Sequence, residues 1–197
     1  AYEYLWYEAE NMRGFTTNAR FEPVLNPSWM NPPKAKAAGW GINGPGVSAE
    51  WTQGGESEWN SAAASADETR AEIFVDMEIP REGSYKVWVR YADWARRTEN
   101  FTVRISQQGS APFQAEFGAR DLIDPHDEVS MYWGWAFTWG VAAGATLKRG
   151  PARLSIEIEK SAEARRHVDC VLVTNDTTFV PEGRAKPPFA GVRVLDD

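Results

Sequence analysis

Short runs of period-two alternation, broken by turn residues, constrain this chain more than any other feature. Tyr85, Val87, Val89 and Tyr91 alternate with Lys86, Trp88 and Arg90, and Ile73, Val75, Met77 and Ile79 alternate with Phe74, Asp76 and Glu78. Phe101, Val103 and Ile105 repeat the pattern, as do Leu154, Ile156 and Ile158. Successive side chains of a strand point to opposite faces, so each run buries one face. Pro80 to Gly83, Gln108-Gly109-Ser110 and Lys148 to Pro151 punctuate them as turns. No long helical period competes. The pattern predicts an all-β fold, an antiparallel β-sandwich with one face of each sheet inside.

At 197 residues, one sandwich over residues 1–180 is expected, large enough to bury a core without staples. Residues 181–197 carry Pro181, Pro187 and Pro188 and read as an extended C-terminal strap or the start of a linker. Residues 20–60 hold many prolines and glycines with Trp29, Trp40, Trp51 and Trp59 among them, and read as long loops pinned by aromatics. The single cysteine, Cys170, excludes an internal disulfide and sits in the apolar run Val168 to Val173, where a buried, inert thiol fits.

No apolar run approaches the roughly 20 residues that cross a membrane. The chain opens directly into strand-like sequence with no signal peptide in view, which suggests a processed protein or a domain cut from a longer one. A formal charge of −7 argues against nucleic acid as the principal partner, and no membrane partner is expected. Ten tryptophans exceed the needs of a core this size, so some are expected to offer flat faces to a ligand.

Carboxylates inside strands are the next constraint. Glu8 and Glu10 stand at i and i+2 in Tyr4 to Glu10, and Asp169 lies inside Val168 to Val173. Two like charges on one strand face repel unless a cation or a basic side chain lies between them; otherwise they are solvated on an edge strand. With Asp169 alongside, the set makes an oxygen-rich pocket of the kind calcium prefers.

These residues also carry a resemblance. Tyr7-Glu8-Ala9-Glu10-Asn11-Met12 resembles the first strand of carbohydrate-binding modules with the galactose-binding-like jelly roll, such as families 6 and 35. Pro80 to Ala92 is similar to that group's P-x-x-G-x-Y-x-x-x-x-R-Y-A strand pair, and the resemblance spans roughly residues 4–175. It implies a noncatalytic jelly roll in which Glu8, Glu10 and Asp169 hold a structural calcium. It also implies a sugar site at one end of the sandwich, built from the loops 93–100 and 161–167. Family members often place a sugar-bonding Asn in the second loop, where this chain has Arg165, Arg166 and His167.

That departure points to ligand charge. Arg96, Arg97, Arg165 and Arg166, in two loops expected to meet within an acidic protein, make a local positive site. Guanidinium forks match carboxylate and sulfate geometry. Trp94 would supply a stacking face, with Asn100 and His167 completing the ligand set. The alternative is a solvated rim in which the arginines pair with Asp93, Glu99 and Glu163.

Three further features weigh on function. Trp133, Trp135, Phe137 and Trp139 share one parity, expected as an inward core face, with a polysaccharide platform approached past Gly134 and Gly140 as the alternative. Asp121 to Glu128 is the densest acidic cluster, read as a solvated loop, with a second calcium or a catalytic carboxylate pair as alternatives. Two histidines and no Gly-x-Ser-x-Gly motif argue against a Ser-His-Asp hydrolase.

The expected function is noncatalytic carbohydrate binding that targets an attached enzyme to a polysaccharide or oligosaccharide, an acidic one, with calcium as structural cofactor. The expected context is a monomeric domain of a secreted or cell-surface multidomain protein. The alternatives are a small glycoside hydrolase or lyase using residues 121–128, and a structural or protein-interaction sandwich.

Overall fold

Each alternating run becomes a strand, because an apolar parity can leave water only by facing a second sheet. The computed structural model describes residues 2–9, 12–14, 40–43, 61–64, 70–94, 100–118, 135–159, 166–182 and 193–196. The described residues hold β1 (Tyr4–Glu8), β2 (Trp40–Asn43), β3 (Ser61–Ala64), β4 (Arg70–Ile79), β5 (Gly83–Trp94) and β6 (Phe101–Ser106). They continue with β7 (Phe113–Phe117), β8 (Trp135–Leu147), β9 (Gly150–Glu159), β10 (Arg166–Thr174) and β11 (Arg193–Asp196).

Two sheets form, one of seven strands and one of four in the order β4-β9-β6-β7. In the larger, β10 is the hub. Along one edge it pairs with β5, which pairs in turn with β8. Along the other edge β1 pairs over Cys170 to Thr174, and β3 takes over at Arg166 to Val168 with β2 beyond it. All these pairings are antiparallel; β11 adds to the free side of β1 in parallel.

The core fills the space between the sheets. Leu5, Tyr7, Val87, Val89, Val171 and Val173 from the large sheet join Ile73, Met77, Val103, Ile105, Leu154 and Ile156 from the small one. Burying such a side chain contributes about 1.5–3 kcal/mol. Tyr91 of β5 meets Phe101 of β6 edge-on at 5.2 Å between ring centroids, and Phe101 stacks on Phe117 of β7 at 5.8 Å.

The segment after β10 folds back on the N-terminal strand. Tyr4 Oη donates to Asp176 Oδ2 at 2.5 Å, and Glu3 N donates to Asn175 Oδ1 at 2.7 Å. Thr174 Oγ1 donates to Glu3 O at 2.7 Å, Thr178 N to Asp176 Oδ1 at 3.1 Å, and Phe179 packs edge-on against Tyr4. Asp176 acts here as an Asx-turn acceptor. Lys86 Nζ of β5 reaches over to Thr177 O at 2.7 Å.

One expectation needs correction. Trp40–Asn43 was expected within loop, yet it forms β2 and pairs with β3 from Asn43↔Ser61 to Trp40↔Ala64. Glycine and alanine carry almost no alternation signal, so only the pairing reveals these strands. Most of residues 20–60, and the acidic run 121–128, lie outside the described residues.

Candidate functional site

The outer face of the large sheet carries a second buried layer. Tyr4, Trp6, Trp88, Cys170 and Leu172 form it, with Trp139 and Phe179 packed against them. Three charged side chains are buried within the same sheet: Glu8 and Asp169 are 1% exposed and Arg90 is 0% exposed. Arg90 Nη1 donates to Asp169 Oδ2 at 3.0 Å. Trp6 Nε1 donates to Glu8 Oε1 at 3.3 Å, and the Cys170 thiol lies 3.8 Å from Asp169 Oδ2. Glu8 is the cross-strand partner of Cys170, and Cys170 that of Arg90, so the three stand in one row across β1, β10 and β5.

Glu8 and Asp169 are therefore not solvated edge carboxylates. A basic side chain meets Asp169, the arrangement that makes a buried carboxylate tolerable. Arg90 escaped the sequence reading because its parity in β5 is that of Lys86, an ordinary polar face. The signal that could have found it was the carboxylate inside an apolar strand, which demanded a cation. Glu10 lies outside the described residues. Among the described residues no three metal-ligating side chains cluster.

Of the other expected site residues, Trp94, Arg166 and His167 belong to strands of the same sheet. Trp94 is the last residue of β5 and stands opposite Trp135. Arg166 and His167, expected in a loop, open β10 instead: His167 stands opposite Ala92 on one side and Ala63 on the other. Ladder partners on both edges hold His167, and the β3 edge alone extends the strand to Arg166. The end of β5 and the start of β10 are thus neighbours at Ala92 and His167. Arg96, Arg97 and Arg165 lie outside the described residues. Asn100 is exposed and leads into β6 of the opposite sheet.

The aromatic stripe does not face between the sheets, as expected, at the position where its side chain is described. Trp139 belongs with the outer layer, 5.6 Å from Trp6 between ring centroids. Gly140 is the inward residue, and a Cβ there would meet Tyr91 Cε1 at 2.9 Å and Phe117 Cδ1 at 3.0 Å. This glycine makes room for the core rings and not for a ligand.

On the outer face of the small sheet, Asp76 accepts from Arg153 Nε at 2.9 Å and is also bridged by Arg13. The hydrogen bond from Arg153 is the largest cause holding the Asp76 carboxyl below its usual range; burial opposes it, and the bond from Arg13 adds to the lowering. Arg153 also lies over the Phe74 ring at 4.2 Å. These contacts tie residues 12–14 to β4.

The described strands define a β-sandwich of two sheets. No protein-family model matches the chain, and no curated protein matches it in sequence. Solved structures similar to it include carbohydrate-binding modules. One is CBM36 in complex with calcium and xylotriose, at 15% identity and a TM-score of 0.47, covering 85% of this chain and 98% of that one. Another is TmCBM61 in complex with β-1,4-galactotriose, at 13% identity and a TM-score of 0.43, covering 78% of this chain and 97% of that one. A third is the Podospora anserina GH26-CBM35 β-(1,4)-mannanase, at 15% identity and a TM-score of 0.45; the match covers 94% of this chain but only 29% of the enzyme. A likeness this loose transfers no ligand and no residue role.

Proposed function

We propose that this chain is a noncatalytic carbohydrate-binding module whose ligand is an acidic glycan, uronate-bearing or sulfated. The observation that supports the reading is the register that pairs His167, near the start of β10, with Ala92, two residues before the end of β5 at Trp94. The reading takes Arg96 and Arg97, which follow β5 in the sequence, and Arg165 and Arg166, at the start of β10, as its cationic set. Charge-assisted hydrogen bonds contribute about 1.5–3 kcal/mol each, and Trp94 adds a stacking face. The net charge of −7 opposes long-range capture of a polyanion, so affinity is modest and falls with salt.

Binding of this kind tethers an attached enzyme to its substrate by raising local concentration. The context proposed is a monomeric domain of a secreted or cell-surface multidomain protein. Glu8, Glu10 and Asp169 would hold a structural calcium that joins β1 to β10. Of these, Glu8 and Asp169 are buried in neighbouring strands that hold one buried guanidinium, Arg90, and hard carboxylate oxygens suit calcium. Bound there, the ion would stabilise the strand junction.

A carbohydrate array of neutral, uronic and sulfated polysaccharides, followed by titrations with Arg165→Ala/Arg166→Ala, tests the reading. Preferential binding of an acidic glycan, weakened in the double variant, is expected. Unchanged affinity in the variant, or tighter wild-type binding of a neutral glycan, makes the arginines rim charges.

A further inference from the structure

Asp169 is the pivot of β10. On the β5 side, Val168 stands opposite Tyr91 and Cys170 opposite Arg90, so Asp169 is the extra residue of a β-bulge. On the far side, Cys170 faces Glu8 of β1 and Val168 faces Ala62 of β3. The neighbouring strand changes across the same residue. The bulge also resets the faces: Val168, Val171 and Val173 reach the inter-sheet core, whereas Cys170 and Leu172 join the outer layer.

Without the bulge, alternation continued from Val173 and Val171 would turn residue 169 inward and residue 168 outward. The carboxylate would then enter an apolar core with no cation beside it, a costly burial. In the bulged register it meets Arg90 at 3.0 Å instead. A buried ion pair is a poor device for stability alone, since an apolar pair of similar volume often does as well or better. What the pair adds is discrimination, because only one of the two registers satisfies the carboxylate.

We infer that the Arg90–Asp169 pair is a register lock that positions the Arg166–His167 end of β10 for anion binding. The inference rests on the acidic-glycan site proposed above. A one-residue slip would move positions 166 and 167 along β5 and β3 and exchange their sheet faces. Bulges beside functional sites re-aim side chains in this way. Arg90 and Asp169 are positioning residues, acting through β10.

The test is the apolar swap Arg90→Met/Asp169→Leu, with an oligogalacturonate and a neutral cello-oligosaccharide as probes. Leucine at 169 favours the core, so the folded variant is expected to lose the cross-strand backbone NOE between Val168 and Tyr91. Oligogalacturonate affinity should fall roughly tenfold or more, the equivalent of one charge-assisted hydrogen bond, and the preference over the neutral probe should collapse. Chelation of the wild-type protein removes any bound calcium without changing the sequence at the bulge, and is expected to keep both the NOE and the preference. The inference is overturned if the swap keeps the NOE and binds within about threefold of wild type, well under 1.4 kcal/mol. It is equally overturned if chelation of the wild-type protein reproduces the loss. Should the swap not fold, Arg90→Lys decides: it keeps a cation opposite the carboxylate and must keep the NOE, and a folded Arg90→Lys without it refutes the lock. Unchanged oligogalacturonate affinity in Arg165→Ala/Arg166→Ala would refute the glycan site separately, with the NOE then judging the lock by itself.

Discussion

Gly140→Ala adds one methyl group at the tightest point of the core. The new Cβ would lie 2.9 Å from Tyr91 Cε1 and 3.0 Å from Phe117 Cδ1, inside the optimal carbon separation of about 3.5–4.0 Å. Neither ring has room to retreat. Tyr91 is 3% exposed and Phe117 5%, and Phe101 packs against both. Overpacking of this kind costs about 1–3 kcal/mol. Restricting the unfolded chain by replacing glycine offsets about 0.4–1 kcal/mol of that. The midpoints leave a net loss of about 1.3 kcal/mol, or roughly 3–5 °C in Tm for a chain of this size.

Thermal and urea unfolding measure the loss, and glycan titration accompanies them. In a Phe117→Leu background the clash with the ring edge is gone, so Gly140→Ala should cost less, with a coupling of about 0.5 kcal/mol or more. A glycine kept for ligand access would give the opposite pattern, weakened binding with unchanged melting. An unchanged or raised Tm for Gly140→Ala in the wild-type background refutes the packing argument.

Burial, and then the hydrogen bond to Asp176, pushes the Tyr4 phenol up from 10.0 to about 12. A phenol raised on folding adds stability that is full below its unfolded pKa and lost as pH climbs through the folded one. Wild type should therefore lose more stability than Tyr4→Phe as pH rises from 10 toward 12, read from urea midpoints. The hydrogen bond from Tyr4 holds Asp176 below its usual range, so its contribution is present above about pH 3.9 and fades as pH falls; Asp176→Asn should flatten that acid limb. Cys170, fully buried, should react with thiol reagents only after denaturation, and rapid labelling of the native protein contradicts its packing role. Chelation should lower the melting temperature and calcium restore it, a response abolished by Glu10→Gln; if neither chelation nor the substitution shifts melting, Glu8, Glu10 and Asp169 hold no calcium.

The strands β4, β5, β6 and β9 were legible in the chain because burying one face is a local property, written at i and i+2 in residues such as Tyr85, Val87 and Val89. The same locality exposed Asp169 as a charge in need of a partner. It could not name Arg90, which lies 79 positions away at a parity indistinguishable from a solvated face. Nor could it show that Trp139 and Gly140 divide between two buried layers, since parity says which residues share a face and not what covers it. β2 and β3, rich in glycine and alanine, exist because neighbouring strands accept their hydrogen bonds, and Arg166 and His167 enter β10 for the same reason. The bulge at Asp169 is the clearest case. Sequence alternation fixes faces only within an unbroken register, and the register of β10 is set by β1, β3 and β5 together, through pairings that no local pattern contains.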